Sequence, residues 1–311
     1  MNTIHLLFLT SDQSDQMEKS SHYLAEAMKQ YCSVTVWTED GHMSDILSRI
    51  DDEPDFILLN DCFAPPLCPN IYGLNSVSIP KWMIFHDLFI QRQQRKRFVT
   101  EQRIDYFFPH YRDSFIKWYP QLADRMIWLP HHANTAVYKD YEQDKDIDWL
   151  MMGAVDRRLY PLRSAMKQTF SGMNGFVFHP HPGHRHEKEI EPGSFIADNY
   201  ARQINRAKIF LTCGTKFRHP VMKYFEVLAC NTLLLAPGSK ELADLGFVDG
   251  ETFVSVERNN FYDKAVYYLD HEEERRRITA NGHKMVMENH STNRRAQQVI
   301  DQIERRIEQK N

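Results

Sequence analysis

Short apolar runs alternate along this chain with segments in which apolar residues recur every three or four positions. In the first half, Ile4–Leu9, Cys32–Trp37, Phe56–Leu59, Lys81–Phe85, Asp105–Phe108 and Met126–Leu129 read as strands. Met17–Met28 carries Tyr23, Leu24, Ala27 and Met28 at helical spacing, while Ile46–Ile50 and Phe115–Tyr119 read as shorter helical pieces. A proline-rich loop covers Ala64–Asn70, and the polar segment His131–Asp146 reads as a connection between domains. A second alternation follows, with strands over Ile147–Met152, Gly175–Phe178, Ile209–Thr212, 232–236 and 252–255. Its helices lie near Pro161–Thr169, Ile196–Ala207, 221–230 and 239–245. Two helices end the chain, around 261–280 and 292–309; in the last, Ala296, Val299, Ile300, Ile303 and Ile307 form one apolar stripe.

Strands separated by helices at this spacing predict βαβ units and parallel sheets. The expectation is an α/β protein of two halves of similar size. A cleft is expected between their carboxyl edges, where open α/β sheets bind ligands.

Composition narrows the class. The 311 residues suffice for two domains with separate cores, and 42% hydrophobic with 26% charged residues is ordinary for a globular protein. A formal charge of -4 gives no global attraction to nucleic acid or membrane. No apolar stretch reaches the roughly 18–20 residues of a membrane span, and the N-terminus reads as a buried strand rather than a leader. Cys32, Cys62, Cys68, Cys213 and Cys230 have no metal-ligand spacing. Reduced thiols and a cytoplasmic location are expected.

The most informative stretch is Lys223–Pro237, which reads as helix, tight corner and buried strand. Its one carboxylate, Glu226, sits among Phe225, Val227, Leu228 and Ala229. An acidic residue near a helix start at the carboxyl edge of a parallel sheet is placed to bind a ribose hydroxyl.

Several passages resemble the C-terminal domain of GT-B glycosyltransferases, nearest to the group related to family-4 enzymes and CgeB-type spore-maturation proteins. In order they are Asp146-Ile-Asp-Trp-Leu-Met-Met-Gly153, Tyr160-Pro-Leu-Arg163, Asn205-Arg-Ala-Lys-Ile-Phe-Leu-Thr-Cys-Gly214 and Lys223-Tyr-Phe-Glu226. Leu245-Gly-Phe, Asn281-Gly282, His290 and Arg295-Ala296 follow. The likeness covers about 145–300 and is thinner earlier, at Ile79-Pro80, His86-Asp87 and Trp128-Leu-Pro-His-His-Ala-Asn134. It implies a GT-B fold with two Rossmann-like domains, an acceptor domain over 1–140 and a donor domain over 141–290. Residues 291–311 would form a helix packing back on the first domain.

The implied activity is transfer of a hexosyl or N-acetylhexosaminyl group from a nucleotide sugar, UDP-linked, to an acceptor hydroxyl. It would be retaining and independent of metal, and no cofactor is expected beyond the nucleotide-sugar donor. Glu226 would bind the donor ribose. Family-4 enzymes carry another glutamate eight residues earlier; here Arg218 stands there, beside His219. Asn231 replaces the usual glycine after the helix and tolerates a left-handed backbone. Rival readings are a non-catalytic sugar-nucleotide or glycan-binding protein and a GT-B epimerase acting on UDP-sugars.

Without a metal, basic side chains and backbone amides must stabilise the leaving diphosphate. Gly153, Arg158, Arg163, Lys216, His219, Lys223 and Glu226 are the candidates for donor binding, and His86, Asp87 and Arg218 for catalysis. Arg157 and Arg158 read equally as a solvated turn. His86-Asp87 either faces the cleft, serving as base or positioning substrate, or caps a strand end. His131, His132 and Asn134 are candidates at the domain junction, and Asp12 reads as a helix cap or a weaker site residue. His179, His181, His184 and His186 invite a metal reading, but Pro180, Pro182 and Gly183 make the segment a loop, read here as one lying over the donor. The basic run Gln91–Arg97 reads as a solvated helix face. Its sharper alternative is a patch for an anionic acceptor, whether teichoic acid, a phospholipid surface or, as in phage enzymes that glycosylate modified bases, nucleic acid. Cell-surface glycans and proteins are further candidate acceptors.

Overall fold

The computed structural model describes residues 4–63, 67–183 and 195–308. The chain divides into two compact units. The first comprises Met1–Asp15, Lys19–Pro130 and Asn293–Asn311; the second comprises Gln16–Glu18 and His131–Thr292. The segment 131–146, read as a connection, thus belongs to the second unit, where the Ala133 N–H donates to His290 O at 3.0 Å.

The first unit holds a five-stranded parallel sheet in the order β2-β1-β4-β6-β7. Its strands are β1 (His5–Leu9), β2 (Ser33–Trp37), β4 (Phe56–Leu59), β6 (Lys81–Phe85) and β7 (Tyr106–Pro109). A two-residue pair, β3 (Gly41–His42) with β5 (Ile71–Tyr72), lies outside this sheet and gave no sequence signal. The period of two divides the apolar residues cleanly. Leu7, Leu9, Ile57, Leu59, Met83 and Phe85 face one layer, with α2 (Met43–Ser48), α3 (Arg92–Glu101) and α4 (Arg112–Trp118) on the chain around them. Leu6, Phe8, Phe56, Leu58, Trp82 and Ile84 face the other, with α1 (Ser20–Met28).

The stripe of α11 (Thr292–Glu308) covers that second layer: Ala296, Val299, Ile300 and Ile303 are buried there, and Ile307 packs beside them. Each large aliphatic buried this way contributes about 1.5–3 kcal/mol. The C-terminal helix is therefore integral to the first unit's core.

The second unit repeats the architecture in the order β12-β11-β10-β8-β9, again all parallel. Its strands are β8 (Ile147–Met152), β9 (Phe176–His179), β10 (Ala207–Leu211), β11 (Leu233–Ala236) and β12 (Val254–Ser255). Its helices are α5 (Pro161–Phe170), α6 (Ala197–Asn205), α7 (Lys223–Ala229), α8 (Lys240–Ala243), α9 (Phe261–Asp270) and α10 (Glu272–Asn289).

Two expectations need correction. Met126–Leu129 is not a strand: it runs beside β7 through one bridge and two bonds, Ile127 N–H to Phe107 O and Leu129 N–H to Pro109 O. Pro109 has no N–H to return, so the ladder is one-sided. The helix expected over 261–280 is two helices. His271 leaves helical geometry (φ -102°, ψ 71°) and stacks on Tyr267 at 3.7 Å. Glu272, Glu273 and Glu274 then open α10, where the helix N-terminus favours negative charge. No described helix is long and apolar enough to cross a membrane.

Candidate functional site

In the second unit, the loops after β8 and β10 and the start of α7 meet at the carboxyl edge of the sheet. Gly153 ends β8 with φ 111°, a conformation that disfavours side chains. A Cβ there would lie 3.1 Å from Lys223 Cε, 3.3 Å from Lys223 Nζ and 3.7 Å from Arg163 Nη1. The glycine thus lets an ammonium and a guanidinium approach the strand end closely.

Arg163, buried on the first turn of α5, ties the two loops together. Its Nη1 donates to Ala154 O at 2.8 Å and its Nη2 to Cys213 O at 2.7 Å, and its guanidinium lies 4.2 Å from the Tyr160 ring centroid. The Lys216 N–H adds a bond to Leu159 O at 2.8 Å. Beyond β10, a Cβ on Gly214 would fall 2.3 Å from His219 O, so the chain can only fold back on itself here with glycine.

Glu226 is buried in the first turn of α7. The Tyr200 hydroxyl lies 3.3 Å from its Oε2, and Tyr138 hydrogen-bonds the same carboxylate. Burial pushes the Glu226 carboxyl up, against the opposing pull of Lys223. Burial likewise drives Lys223 down to about 8, with Glu226 acting to raise it and Arg163 to lower it. Lys223 Nζ sits 5.6 Å from the Tyr200 ring centroid. A buried carboxylate and a half-buried ammonium, both shifted against their ordinary range, make this sheet edge the candidate site.

The remaining candidates are placed differently. Arg157 and Arg158 are exposed, on a turn closed by the Arg158 N–H donating to Asp156 Oδ1 at 2.9 Å. Lys216 is exposed. Arg218 adopts φ 63°, and its largely exposed side chain lies 3.7 Å from Glu257 Oε1. His219 is buried, which lowers its pKa to about 4 and keeps the ring neutral. Asn231 takes the left-handed conformation at φ 51°. His179 lies against Phe195 with Nε2 3.0 Å from Gln203, and His181 Nδ1 accepts from the Gly183 N–H. His184 and His186 fall outside the described residues. Among those described, no three His, Cys, Asp or Glu side chains gather as metal ligands.

The first unit places His86 and Asp87 just beyond β6. The His86 N–H donates to Asp61 Oδ2 at 2.9 Å and its Nε2 lies 2.9 Å from Asn60 Oδ1. Asp61 is buried against Arg95, whose Nη1 reaches both carboxylate oxygens at 2.7 and 2.8 Å. Arg95 is therefore the exception on a helix face otherwise solvated at Arg92, Gln93, Gln94 and Arg97. His132 is buried with Nδ1 2.9 Å from Thr292 Oγ1, and Asn134 caps the turn 134–138. Asp12 accepts from the Ser14 N–H in an exposed loop, well before α1 begins. Asn60, Asp61, Arg95, Tyr138 and Tyr200 had escaped the sequence reading. Asn60-Asp61 did carry a signal, since a polar pair follows the buried run Phe56–Leu59 just as His86-Asp87 follows Lys81–Phe85.

Two comparisons bear on this arrangement. Residues 162–301, a little under half of the chain, match a family model described as glycosyl transferase-like. Sucrose-phosphate synthase from Thermosynechococcus elongatus is similar across 100% of both chains, with 11% identity and a TM-score of 0.65. Anabaena HepE, solved with UDP and glucose, matches over 97% of this chain and 99% of its own, with 12% identity and a TM-score of 0.62. The fold is GT-B. An alpha-glucosyltransferase solved with UDP and a 13-mer DNA containing an HMU base shares this GT-B fold. It covers 97% of this chain and 99% of its own, at 10% identity and a TM-score of 0.63. No curated protein matches the sequence. The family match includes Arg163, Lys216, Arg218, His219, Lys223 and Glu226, and stops short of Gly153 and of every candidate in the first unit.

Proposed function

We propose that this protein is a glycosyltransferase that moves a hexosyl or N-acetylhexosaminyl group from a UDP-linked donor to an acceptor hydroxyl. The observation that carries this is the convergence of Gly153, Arg163, Lys223 and Glu226 at one sheet edge. A carboxylate held by Tyr138 and Tyr200 suits the paired hydroxyls of a ribose. A half-buried lysine ammonium beside a glycine strand end suits a diphosphate, whose leaving charge it would offset without a metal. The family match over 162–301 and the UDP present in two of the similar structures support the same reading.

In the proposed reaction the bond between the sugar's anomeric carbon and the β-phosphate oxygen breaks, and its electron pair leaves with UDP. A bond to the acceptor oxygen forms, and the acceptor's hydroxyl proton passes to the departing diphosphate. Lys223 and Arg163 stabilise the charge growing on the diphosphate. Arg218 and His219, in the loop after β10, stand on the sugar side, and His86 and Asp87 belong to the acceptor side. We take the reaction to be retaining, which the anomeric configuration of the product tests, and cytoplasmic, alongside the pool of nucleotide sugars.

A thermal-shift series with UDP, GDP, TDP and ADP sugars tests the reading. A UDP-sugar is expected to raise the melting temperature most. Absence of a shift with any nucleotide would sink the donor-site assignment.

A further inference from the structure

Lys223 and Glu226 stand three residues apart on α7, and side chains at that spacing are neighbours on a helix surface. An ammonium and a carboxylate so placed attract each other, the more so away from bulk water. Arg163 adds to the push. The point that a Gly153 Cβ would occupy lies 3.3 Å from Lys223 Nζ and 3.7 Å from Arg163 Nη1, so two cations crowd one strand end. Yet among the described residues the Lys223 ammonium makes neither an ion pair nor a hydrogen bond. Tyr200, on α6, meets both groups instead. Its hydroxyl lies 3.3 Å from Glu226 Oε2, and Lys223 Nζ lies 5.6 Å from its ring centroid, within reach of the electron-rich face. Burial and the Glu226 charge push the phenol well above its usual range, so its oxygen keeps its proton and donates. Tyr138 steadies the same ring, edge to face at 6.1 Å, and also hydrogen-bonds the carboxylate.

We infer that Tyr200 is a positioning residue that keeps Lys223 and Glu226 from pairing with each other, holding the ammonium for a diphosphate and the carboxylate for a ribose. The inference rests on the glycosyl-transfer reading for what the two groups bind, though not for their separation. One side chain does both tasks, the hydroxyl taking the carboxylate and the ring face taking the ammonium.

The separation has a consequence for protonation. The groups facing Lys223 are Glu226 on its own helix, Arg163 on α5 and Tyr200 on α6. Glu226 in turn faces Lys223, Glu18, Tyr138, Tyr200 and the neutral Cys230 thiol. On α10, His283 meets α7 at Leu228 O, and beyond that helix His290 meets the Phe225 ring. An ammonium held over a ring gives up its proton more readily than one in an ion pair, so burial can bring Lys223 down to about 8 despite Glu226. A direct Lys223–Glu226 pair would keep that proton to higher pH. It would also have to break before either group could meet a nucleotide.

The test is NMR titration of the lysine side chains in labelled full-length protein without ligand, with Lys223 assigned by its loss in Lys223→Met. Calorimetry with UDP between pH 7 and 9 accompanies it. Tyr200→Leu removes ring and hydroxyl together and lets the pair close. The Lys223 midpoint should then rise by about one unit or more, because an opposite charge in contact favours the ammonium. UDP should bind about tenfold more weakly at pH 7, and its affinity should lose its fall toward pH 9. Tyr200→Phe keeps the ring and its packing, so this arm stands even if the leucine variant does not fold. Its Lys223 midpoint should stay near 8, while its preference for UDP over 2′,3′-dideoxy-UDP should drop about threefold or more. An unmoved midpoint in Tyr200→Leu would overturn the inference. So would a Tyr200→Phe midpoint raised as far as that of Tyr200→Leu, or a Tyr200→Phe protein with its ribose preference intact. Midpoints that move as expected in a protein that binds no nucleotide would support the separation and contradict the transfer reading instead.

Discussion

At the carboxyl edge of the first sheet, Asp61 and Arg95 are buried together in a direct ion pair at 2.7 Å, with their remaining hydrogen bonds taken up by the backbone at Phe63, His86, Asp87 and Ile90. At the same edge of the second sheet, Glu226 is buried and Lys223 half-buried on one short helix; they form no ion pair among the described residues, and burial displaces both pKa values. The first arrangement is closed: every charge has its partner inside the protein, so it works as architecture. The second is open to an outside partner, and its shifted groups would respond to a charged ligand. Two pairs of similar composition thus point to different tasks.

The largest effect should come from opening the closed pair. Arg95→Ala leaves Asp61 buried without its partner and should cost about 3–5 kcal/mol in urea unfolding. A loss under about 1 kcal/mol would mean that the pair is not architectural. The next effect concerns Gly153. Gly153→Ala forces a side chain onto φ 111° and crowds Lys223, so we expect about 1–3 kcal/mol of strain. Affinity for UDP, read by calorimetry, should fall by roughly tenfold or more, since 1.4 kcal/mol is a factor of ten.

At the second sheet the effect should depend on pH. Lys223 titrates near 8 in the free protein, so its ammonium is present below that pH and lost above it. Affinity for UDP should weaken as pH rises from about 7 through 9, and Lys223→Met should be weak and flat over the same range. A wild-type profile as flat as that of Lys223→Met would remove Lys223 from the diphosphate. The smallest effect is expected at Arg218, whose pairing with Glu257 is exposed and 3.7 Å long. Arg218→Ala should change stability by no more than about 1 kcal/mol. Its measurable consequence should be a change in preference among UDP-sugars.

The fold was legible because its signals are local. Phe56–Leu59, Lys81–Phe85 and Ile147–Met152 appear as strands with the bounds their apolar runs suggest, and the α11 stripe is buried as its spacing requires. Met126–Leu129 misled because its apolar pattern matches a strand, while the deciding fact is a missing N–H at Pro109 on another segment. In the site, Glu226 stood out as a lone carboxylate among apolar neighbours. Tyr138 and Tyr200 did not, because their role depends on a contact to a residue 26 or more positions away. Arg95 was hidden in a basic run, and only its burial against Asp61 separates it from Arg92 and Arg97.

Titration calorimetry with UDP and 2′,3′-dideoxy-UDP decides whether Glu226 reads the ribose of a nucleoside diphosphate. Hydrogen bonds to a charged group are worth about 1.5–3 kcal/mol. Wild-type protein should therefore prefer UDP by roughly ten- to a hundredfold, and Glu226→Ala should bind both nucleotides equally and weakly. Equal affinity of the wild type for the two, or an undiminished preference in Glu226→Ala, would contradict the claim.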